Sequence, residues 1–366
     1  MKILMATQEY YPKGSGIANV AYYIVEELKK LGHEVKVLSP YGPDIKIGYE
    51  KAIEKYAGFG LLPFWIRTSG YIGNNYDNYD LFVLHNPLML KKINPKKIFS
   101  IVHTTYVKYY DLYKNQDISF RDRIYYLLMK HIERFCYKKN KLNSSCVSPA
   151  VCDELLKLGL KKSQVTYIPN GVNTKAFRPM KEKYNFNVPK DHKVMLYVGR
   201  FNQQKQLDLM IETFAYIENQ GMPYSLVLAG DGELMPKCRS LIAKKGLKNI
   251  HLLGKIEHKL LPKLYSTADF FIMSSCYEGQ PLTMLEGMSC GLPCILSDIP
   301  NIAHFVKDSG TGVVIDFTKP KHASEKMISY LNRVDLKKES AKIRKFAENN
   351  LDWSVITKKY LKIWEK

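Results

Sequence analysis

The chain has 366 residues, 46% of them apolar and 25% charged. This is a globular composition with room for two domains. No stretch approaches 18 uninterrupted apolar residues, so no membrane span is expected, and Met1 to Glu9 turns polar too soon for a signal peptide. The net charge is +20, which favours anionic lipid, phosphorylated substrates or nucleic acid as partners. Compositional bias explains it equally well, because only nine of the 55 basic residues are Arg. The excess is spread over both halves, and no zinc-finger, KH or RRM signature occurs, so nucleic acid is not an expected partner. Seven cysteines without a C-x-x-C pair argue against a disulfide framework or a zinc site and for a reduced, cytoplasmic compartment.

The first half alternates strand and helix patterns. Ile3–Ala6 reads as a strand. Ile17 to Leu31 carries apolar residues at Val20, Ile24, Leu28 and Leu31, a helical period closed by Gly32. Further strands are expected at Val35–Leu38, Leu81–Leu84 and Phe99–Val102. Tyr106 to Lys141 is dense in Tyr, Lys and Arg, with a helical stripe of Ile124, Leu127, Leu128, His131, Ile132 and Phe135. Such a helix can lie on a membrane surface; the preferred reading is an ordinary domain helix with a solvated basic face.

A second series starts at Val194–Val198. A helix at about Leu207–Asn219 follows, then strands at Ser225–Ala229 and Ile250–Leu253 and a short helix near Leu260–Ser266. Phe270–Met273 and Pro293–Leu296 read as buried strands around a helix at about Pro281–Cys290. Two such series predict two doubly wound α/β domains facing each other. The break falls in the polar stretch Asn173–Asp191.

Chemistry gathers where strands give way to helices. Glu278 and Glu286 lie eight positions apart across Gly279-Gln280-Pro281. Gly279 and Pro281 keep Glu278 in a loop, while Glu286 falls in the first turns of the following helix. The open N–H groups of that helix start suit phosphate oxygens, and carboxylates beside it suit sugar and ribose hydroxyls. Gly199-Arg-Phe-Asn-Gln-Gln-Lys205 offers Arg200 as a planar fork and Lys205 as a point charge, together enough to neutralise a diphosphate without a metal. Gly14-Ser15-Gly16 opens the first helix and allows close backbone approach, although it also reads as a tight turn. Ile168 to Asn173 reads as a structural turn at the domain junction, and Ala229-Gly-Asp-Gly-Glu233 as a strand-exit turn. His103 follows a strand and is expected at a crevice edge, or as a core histidine. His85 has no metal-ligand spacing to a partner, and no Asp-x-Asp occurs, so no metal is expected.

Taken together, these residues resemble the retaining glycosyltransferases of the GT-B fold, family 4, typified by sucrose synthases and bacterial and archaeal mannosyl- and glucosyltransferases. The marks are Gly14-Ser-Gly16, His103, Pro169-Asn-Gly-Val172, Gly199-Arg200 with Lys205, Gly230-Asp-Gly232, and Glu278-x7-Glu286 with Cys290-Gly-Leu-Pro293. They span essentially the whole chain.

The resemblance implies two Rossmann-like domains facing a central cleft. These would be an acceptor-side domain at 1–177 and a nucleotide-sugar domain at 178–350, with the helix at 351–366 crossing back to the first. It implies that Arg200 and Lys205 bind the donor diphosphate, that Glu278 holds donor-sugar hydroxyls, and that Glu286 holds the ribose. Backbone amides of Leu282 and Thr283 would meet phosphates, His103 would contact the donor sugar, and the Gly14–Gly16 loop would close over the diphosphate or acceptor. The donor would be a nucleoside-diphosphate sugar, and no cofactor is expected. The acceptor would be a glycan, a lipid-linked or a small molecule, with peripheral contact to an anionic membrane among the expectations.

The chain departs from the family pattern at Ser15, where Gly is frequent, at Thr104, and at Gln206. Gln280, beside Pro281, adds a polar contact that bears on which sugar is taken. Two other readings are an inactive nucleotide-sugar- or glycan-binding subunit and an inverting GT-B transferase or epimerase.

Overall fold

The computed structural model describes residues 1–48, 61–114 and 119–365. The chain divides into two compact units, Met1–Asn170 with Trp353–Lys366, and Gly171–Asp352.

The first unit runs β1 (Lys2–Ala6), α1 (Gly16–Lys30), β2 (Glu34–Ser39), β3 (Ile45–Lys46), α2 (Leu61–Asn74), β4 (Leu81–His85), β5 (Ile98–Val102), α3 (Tyr106–Tyr113), α4 (Phe120–Asn140), β6 (Asn143–Cys146), α5 (Pro149–Lys157) and β7 (Val165–Tyr167). Its strands pair in parallel in the order β3-β2-β1-β4-β5-β6-β7. α1 begins at Ser15, whose hydroxyl accepts from Ile17 N, and buries Val20, Ile24 and Leu28 on one face.

The second unit runs β8 (Lys193–Val198), α6 (Leu207–Asn219), β9 (Tyr224–Ala229), α7 (Met235–Lys245), β10 (Ile250–Gly254), α8 (Leu261–Thr267), β11 (Phe270–Met273), α9 (Leu282–Ser289), β12 (Cys294–Ser297), α10 (Pro300–Ser309), β13 (Val313–Ile315), α11 (Pro320–Leu331) and α12 (Leu336–Asn350). Its sheet is also parallel, in the order β10-β9-β8-β11-β12-β13. Alternation along β8 feeds two core layers. Val194, Leu196 and Val198 pack on one side of the sheet, and Met195 and Tyr197 on the other.

The last helix, α13 (Trp353–Trp364), returns to the first unit. Trp353 stacks on Tyr23 of α1 with ring centroids 5.6 Å apart, and Ile356 and Tyr360 are buried. The division between units falls ahead of the expected boundary at 177/178. Val172 N donates to Leu351 O at 2.7 Å, and Phe177 is buried in the second unit's core. Residues 171–177 therefore pack with the later sequence.

Two further expectations change. Cys146, ending β6, and Cys152, in α5, form a disulfide with Cα atoms 5.2 Å apart. An odd cysteine count does not reveal a pair that a strand end and the next helix bring together. The stripe on α4 is also turned around, except at Ile132, which is half-buried against the first unit's core. The face against the domain is Met129, Glu133, Cys136, Tyr137 and Asn140, whereas Ile124, Leu127, Leu128, His131 and Phe135 are exposed. The inward polar groups are satisfied. Asn140 Nδ2 donates to Met89 O at 2.6 Å, and Val107 N donates to Glu133 Oε2 at 3.1 Å.

Candidate functional site

In a doubly wound sheet the ligand crevice opens beyond the carboxyl ends of the strands where the winding reverses. In the second unit that point lies between β8 and β11. The loops that leave these two strands hold the expected residues.

The β8 loop carries Arg200 and Lys205; the β11 loop carries Glu278. Lys205 Nζ stands 2.5 Å from Glu278 Oε1, with both side chains largely withdrawn from solvent. Ser275 Oγ donates to the same oxygen at 2.5 Å. The backbone ties the loops further. Cys276 N donates to Gln204 O at 2.9 Å, Gln204 Nε2 to Tyr277 O at 2.6 Å, and Ser274 Oγ to Lys205 O at 2.7 Å. Arg200 is exposed, its carbonyl fixed by the Tyr197 hydroxyl at 2.9 Å.

The turn after β9 packs against this loop. A Cβ on Gly230 would fall 1.8 Å from Gly199 O, at a φ of +139° that side chains rarely adopt. Gly230-Asp-Gly232 is thus a close-approach turn, and Phe201 N donates to Asp231 O at 2.9 Å.

α9 starts directly after the β11 loop. Pro281 occupies its N-cap and supplies no capping side chain. The N–H groups of Leu282 and Thr283, in the first turn, lie beyond the reach of the helix's own carbonyls. Gln280 is buried beside them. Glu286, one turn in, is buried too. Burial raises its carboxyl to about 7, opposed by the Tyr265 hydroxyl, which donates to Oε2 at 2.9 Å. Tyr265, on α8, was not singled out from the sequence, where it reads as one more apolar helix position. The structure joins Lys205 with Glu278 and gives Glu286 a different partner, so the two carboxylates have separate surroundings.

The first unit is wired differently. Its winding reverses between β1 and β4. After β1, Glu9 Oε2 accepts from Ser15 N at 2.7 Å and from Ser15 Oγ at 2.5 Å. The Gly14-Ser15-Gly16 start of α1 therefore carries an acid already. Glu9 was missed because it reaches a cap from six residues upstream, outside the local N-cap pattern. His103, after β5, is buried, and its Nε2 lies 2.9 Å from Nδ1 of His85 at the end of β4. The rings stack with centroids 5.2 Å apart. Burial lowers His103 to about 3 and His85 well below the usual histidine value. Both are neutral, and one ring donates to the other. His103 N is held by Asn86 Oδ1 at 2.8 Å.

Among the described residues, no group of three or more His, Cys, Asp or Glu is arranged to hold a metal ion, and no helix is long and apolar enough to cross a membrane.

Comparison with known proteins gives a consistent result. The family model described as "Glycosyl transferases group 1" matches residues 180–350, and that described as "Glycosyltransferase Family 4" matches residues 14–176. An uncharacterised glycosyltransferase of Methanocaldococcus jannaschii is 26% identical over 236 residues, which span 64% of this chain and 63% of that protein. The match thus covers less than two thirds of that relative's length. The alpha-monoglucosyldiacylglycerol synthase of Acholeplasma laidlawii is 24% identical over 344 residues, 86% of this chain and 84% of that one. The structure of sucrose-phosphate synthase from Thermosynechococcus elongatus superposes with a TM-score of 0.77 at 19% identity, over 100% of this chain and 98% of that chain. Such low identity speaks for the fold. With the two family models meeting end to end over most of the sequence and both sheets wound as the fold requires, the chain belongs to the group 1 glycosyltransferases of the GT-B fold.

Proposed function

We propose that this chain transfers a hexosyl group from a nucleoside-diphosphate sugar to a glycan, lipid-linked or small-molecule acceptor, with retention of anomeric configuration and without a metal. The observation that carries this reading is the wiring of Lys205 to Glu278 at the winding reversal, next to the open start of α9.

A diphosphate needs cations and N–H donors. Arg200, Lys205 and the amides of Leu282 and Thr283 supply them. A sugar needs acceptors for its hydroxyls. Glu278 serves the transferred sugar, with Gln280 beside it, and Glu286 serves the ribose. When phosphate oxygens arrive, Lys205 can share its charge with them and leave Glu278 more available to a hydroxyl. Glu286 accepts best as a carboxylate, above about pH 7. His103, being neutral, contributes a hydrogen bond rather than a charge.

In the reaction, the bond from the anomeric carbon to the diphosphate oxygen breaks. The acceptor oxygen bonds to the same face, and its proton passes to the leaving phosphate. Charge builds on that phosphate, so Arg200 and Lys205 act mainly in the transition state. The name of the Acholeplasma laidlawii relative favours a lipid among the acceptor classes.

The test is a screen of UDP-, GDP- and ADP-sugars for slow hydrolysis in excess EDTA, followed by NMR assignment of the product anomer. Hydrolysis of one donor with retained configuration is expected. A strict need for added Mg²⁺ or Mn²⁺ contradicts the metal-free mechanism, and an inverted product contradicts retention.

A further inference from the structure

Two histidines and a methionine share one face of the first unit's sheet, and the transferase reading uses only His103. β1 pairs with β4 so that Met5 lies beside Val83, and β4 pairs with β5 so that His85 lies beside Ile101. His85 is two residues beyond Val83, and His103 two beyond Ile101. Strand alternation therefore keeps Met5, His85 and His103 on the same face. They form a diagonal that climbs toward the carboxyl ends of the strands. Met5 and His85 are fully buried, and His103 keeps 6% of its surface open. The backbone under the rings is held, since Asn86 N donates to Ile101 O at 2.9 Å and His103 N to Asn86 Oδ1 at 2.8 Å.

Each contact along the diagonal has a direction. His85 Nε2 lies 3.0 Å from Met5 Sδ, and His85 Nδ1 lies 2.9 Å from His103 Nε2. A thioether sulfur carries no hydrogen and can only accept. The proton of His85 is therefore on Nε2. Burial keeps both rings neutral, so each has one N–H and one bare ring nitrogen. His85 Nδ1 is then an acceptor, and the hydrogen between the rings comes from His103 Nε2. That leaves a lone pair on His103 Nδ1. Sulfur is a weak acceptor, and apolar side chains of the same shape would fill this face about as stably. Stability alone does not call for the arrangement. Its distinctive product is a fixed polarity at the outer end.

We propose that Met5 and His85 are positioning residues that fix the tautomer of His103, so that Nδ1 accepts a hydrogen bond from a hydroxyl of the transferred sugar. The identity of that hydroxyl rests on the transferase reading. A hydroxyl that donates becomes richer in electrons, and one that accepts becomes poorer. As the bond to the diphosphate breaks, positive charge builds on the sugar. A lone pair at Nδ1 therefore favours the transition state, and an N–H there opposes it. In the ground state a hydroxyl can turn to suit either tautomer, so the tautomer bears on kcat rather than on donor KM.

The test starts with long-range proton–nitrogen correlation NMR of the histidine rings in the intact, substrate-free protein at neutral pH. His85 and His103 are each expected to carry their proton on Nε2. Met5→Leu nearly preserves volume but removes the acceptor. In that variant His85 is expected to move its proton to Nδ1, and His103 to gain a population protonated at Nδ1. With the donor selected by the hydrolysis screen, Met5→Leu is expected to lower kcat by about three- to tenfold and to leave donor KM within about twofold. Leu4→Met, an equally buried change on the other face of β1, is expected to leave the tautomers and kcat unchanged. Wild-type His103 protonated at Nδ1 overturns the proposal, as does a tautomer that Met5→Leu does not move. An unchanged kcat in Met5→Leu, or an equal loss in Leu4→Met, overturns the assignment to the sugar. The NMR result needs no sugar, so failure of the histidine pairing is told apart from failure of the transferase reading.

Discussion

The two units share a parallel, doubly wound sheet but treat charge in opposite ways at the winding reversal. In the second unit a cation and an anion meet, Lys205 with Glu278, in a net of cross-loop hydrogen bonds. In the first unit Glu9 sits on the start of α1, and the paired histidines carry no charge. An acid at a helix start disfavours a second anion there. On the function proposed above, the second unit would take the phosphorylated part of the donor and the first neutral hydroxyls. The same topology offers both units a crevice, and the residues at strand ends decide its use.

The comparison breaks most visibly at the loop contacts. Gly230→Ala puts a methyl group onto the Gly199 carbonyl, so it is expected to lower stability by about 3 kcal/mol or more. Denaturant unfolding measures it. A loss under about 1 kcal/mol would show that the β8 and β9 loops yield easily.

Next come the cations. Arg200→Ala and Lys205→Ala are each expected to reduce kcat/KM by about 30- to 1000-fold, the worth of about 2–4 kcal/mol in the transition state. Their stabilities are expected to differ. Lys205→Ala leaves Glu278 buried without its cation and costs about 1–3 kcal/mol, whereas exposed Arg200 costs little. Lys205→Ala/Glu278→Gln should regain stability without activity. Near-normal kcat/KM in both single variants would remove the phosphate assignment.

The carboxylates should separate in steady-state kinetics at saturating acceptor. Glu278→Gln is expected to lower kcat by about 10- to 100-fold, the range of a charged hydrogen bond. Glu286→Gln is expected to raise the donor KM by about tenfold. Because the Glu286 carboxyl titrates at about 7, wild-type donor KM should rise as pH falls below that value, and Glu286→Gln should flatten the profile. The reverse assignment of kcat and KM effects would mean that the donor lies the other way round.

The smallest effect belongs to the first unit. Burial raises Glu133 to about 8 in the folded protein from an ordinary 4.5. The folded state holds this proton more tightly, so its contribution is fully present below pH 4.5 and is lost as pH rises through 8. Glu133→Gln should therefore lose less Tm than wild type between those limits, by about 2 °C or more. Parallel Tm profiles would show that Glu133 is solvated in the folded state.

Much of this was legible in the sequence because it rests on periodicity and punctuation. β1, β4, β8 and β11 carry continuous apolar runs, β5 is broken only by Ser100, and Gly279 and Pro281 mark the loop before α9. β6 escaped because its residues are Asn-Ser-Ser-Cys. Ser144 and Ser145 are fully buried, with the Ser100 and Ser144 hydroxyls bonded at 2.6 Å, and hydropathy does not register a buried strand whose side chains are short and polar. Lys205, Glu278 and Glu286 could be nominated from their loops. Their partners could not, since Tyr265, Ser275 and Glu9 are defined by distance in space. The α4 stripe shows the limit most clearly. Its period was readable, yet periodicity alone does not say which face meets the domain.

The return of α13 to the first unit has a consequence for how the protein is made. The second unit is one unbroken stretch of chain, Gly171–Asp352. The first is not, since Trp353 and Tyr360 fill its core from the far end of the sequence. During synthesis the first 170 residues emerge early but lack that helix until the second unit has left the ribosome. The segment made before the second unit is therefore completed after it. A fragment cut at residue 170 should expose the Tyr23 face of α1 that Trp353 covers, and aggregate where the intact chain does not.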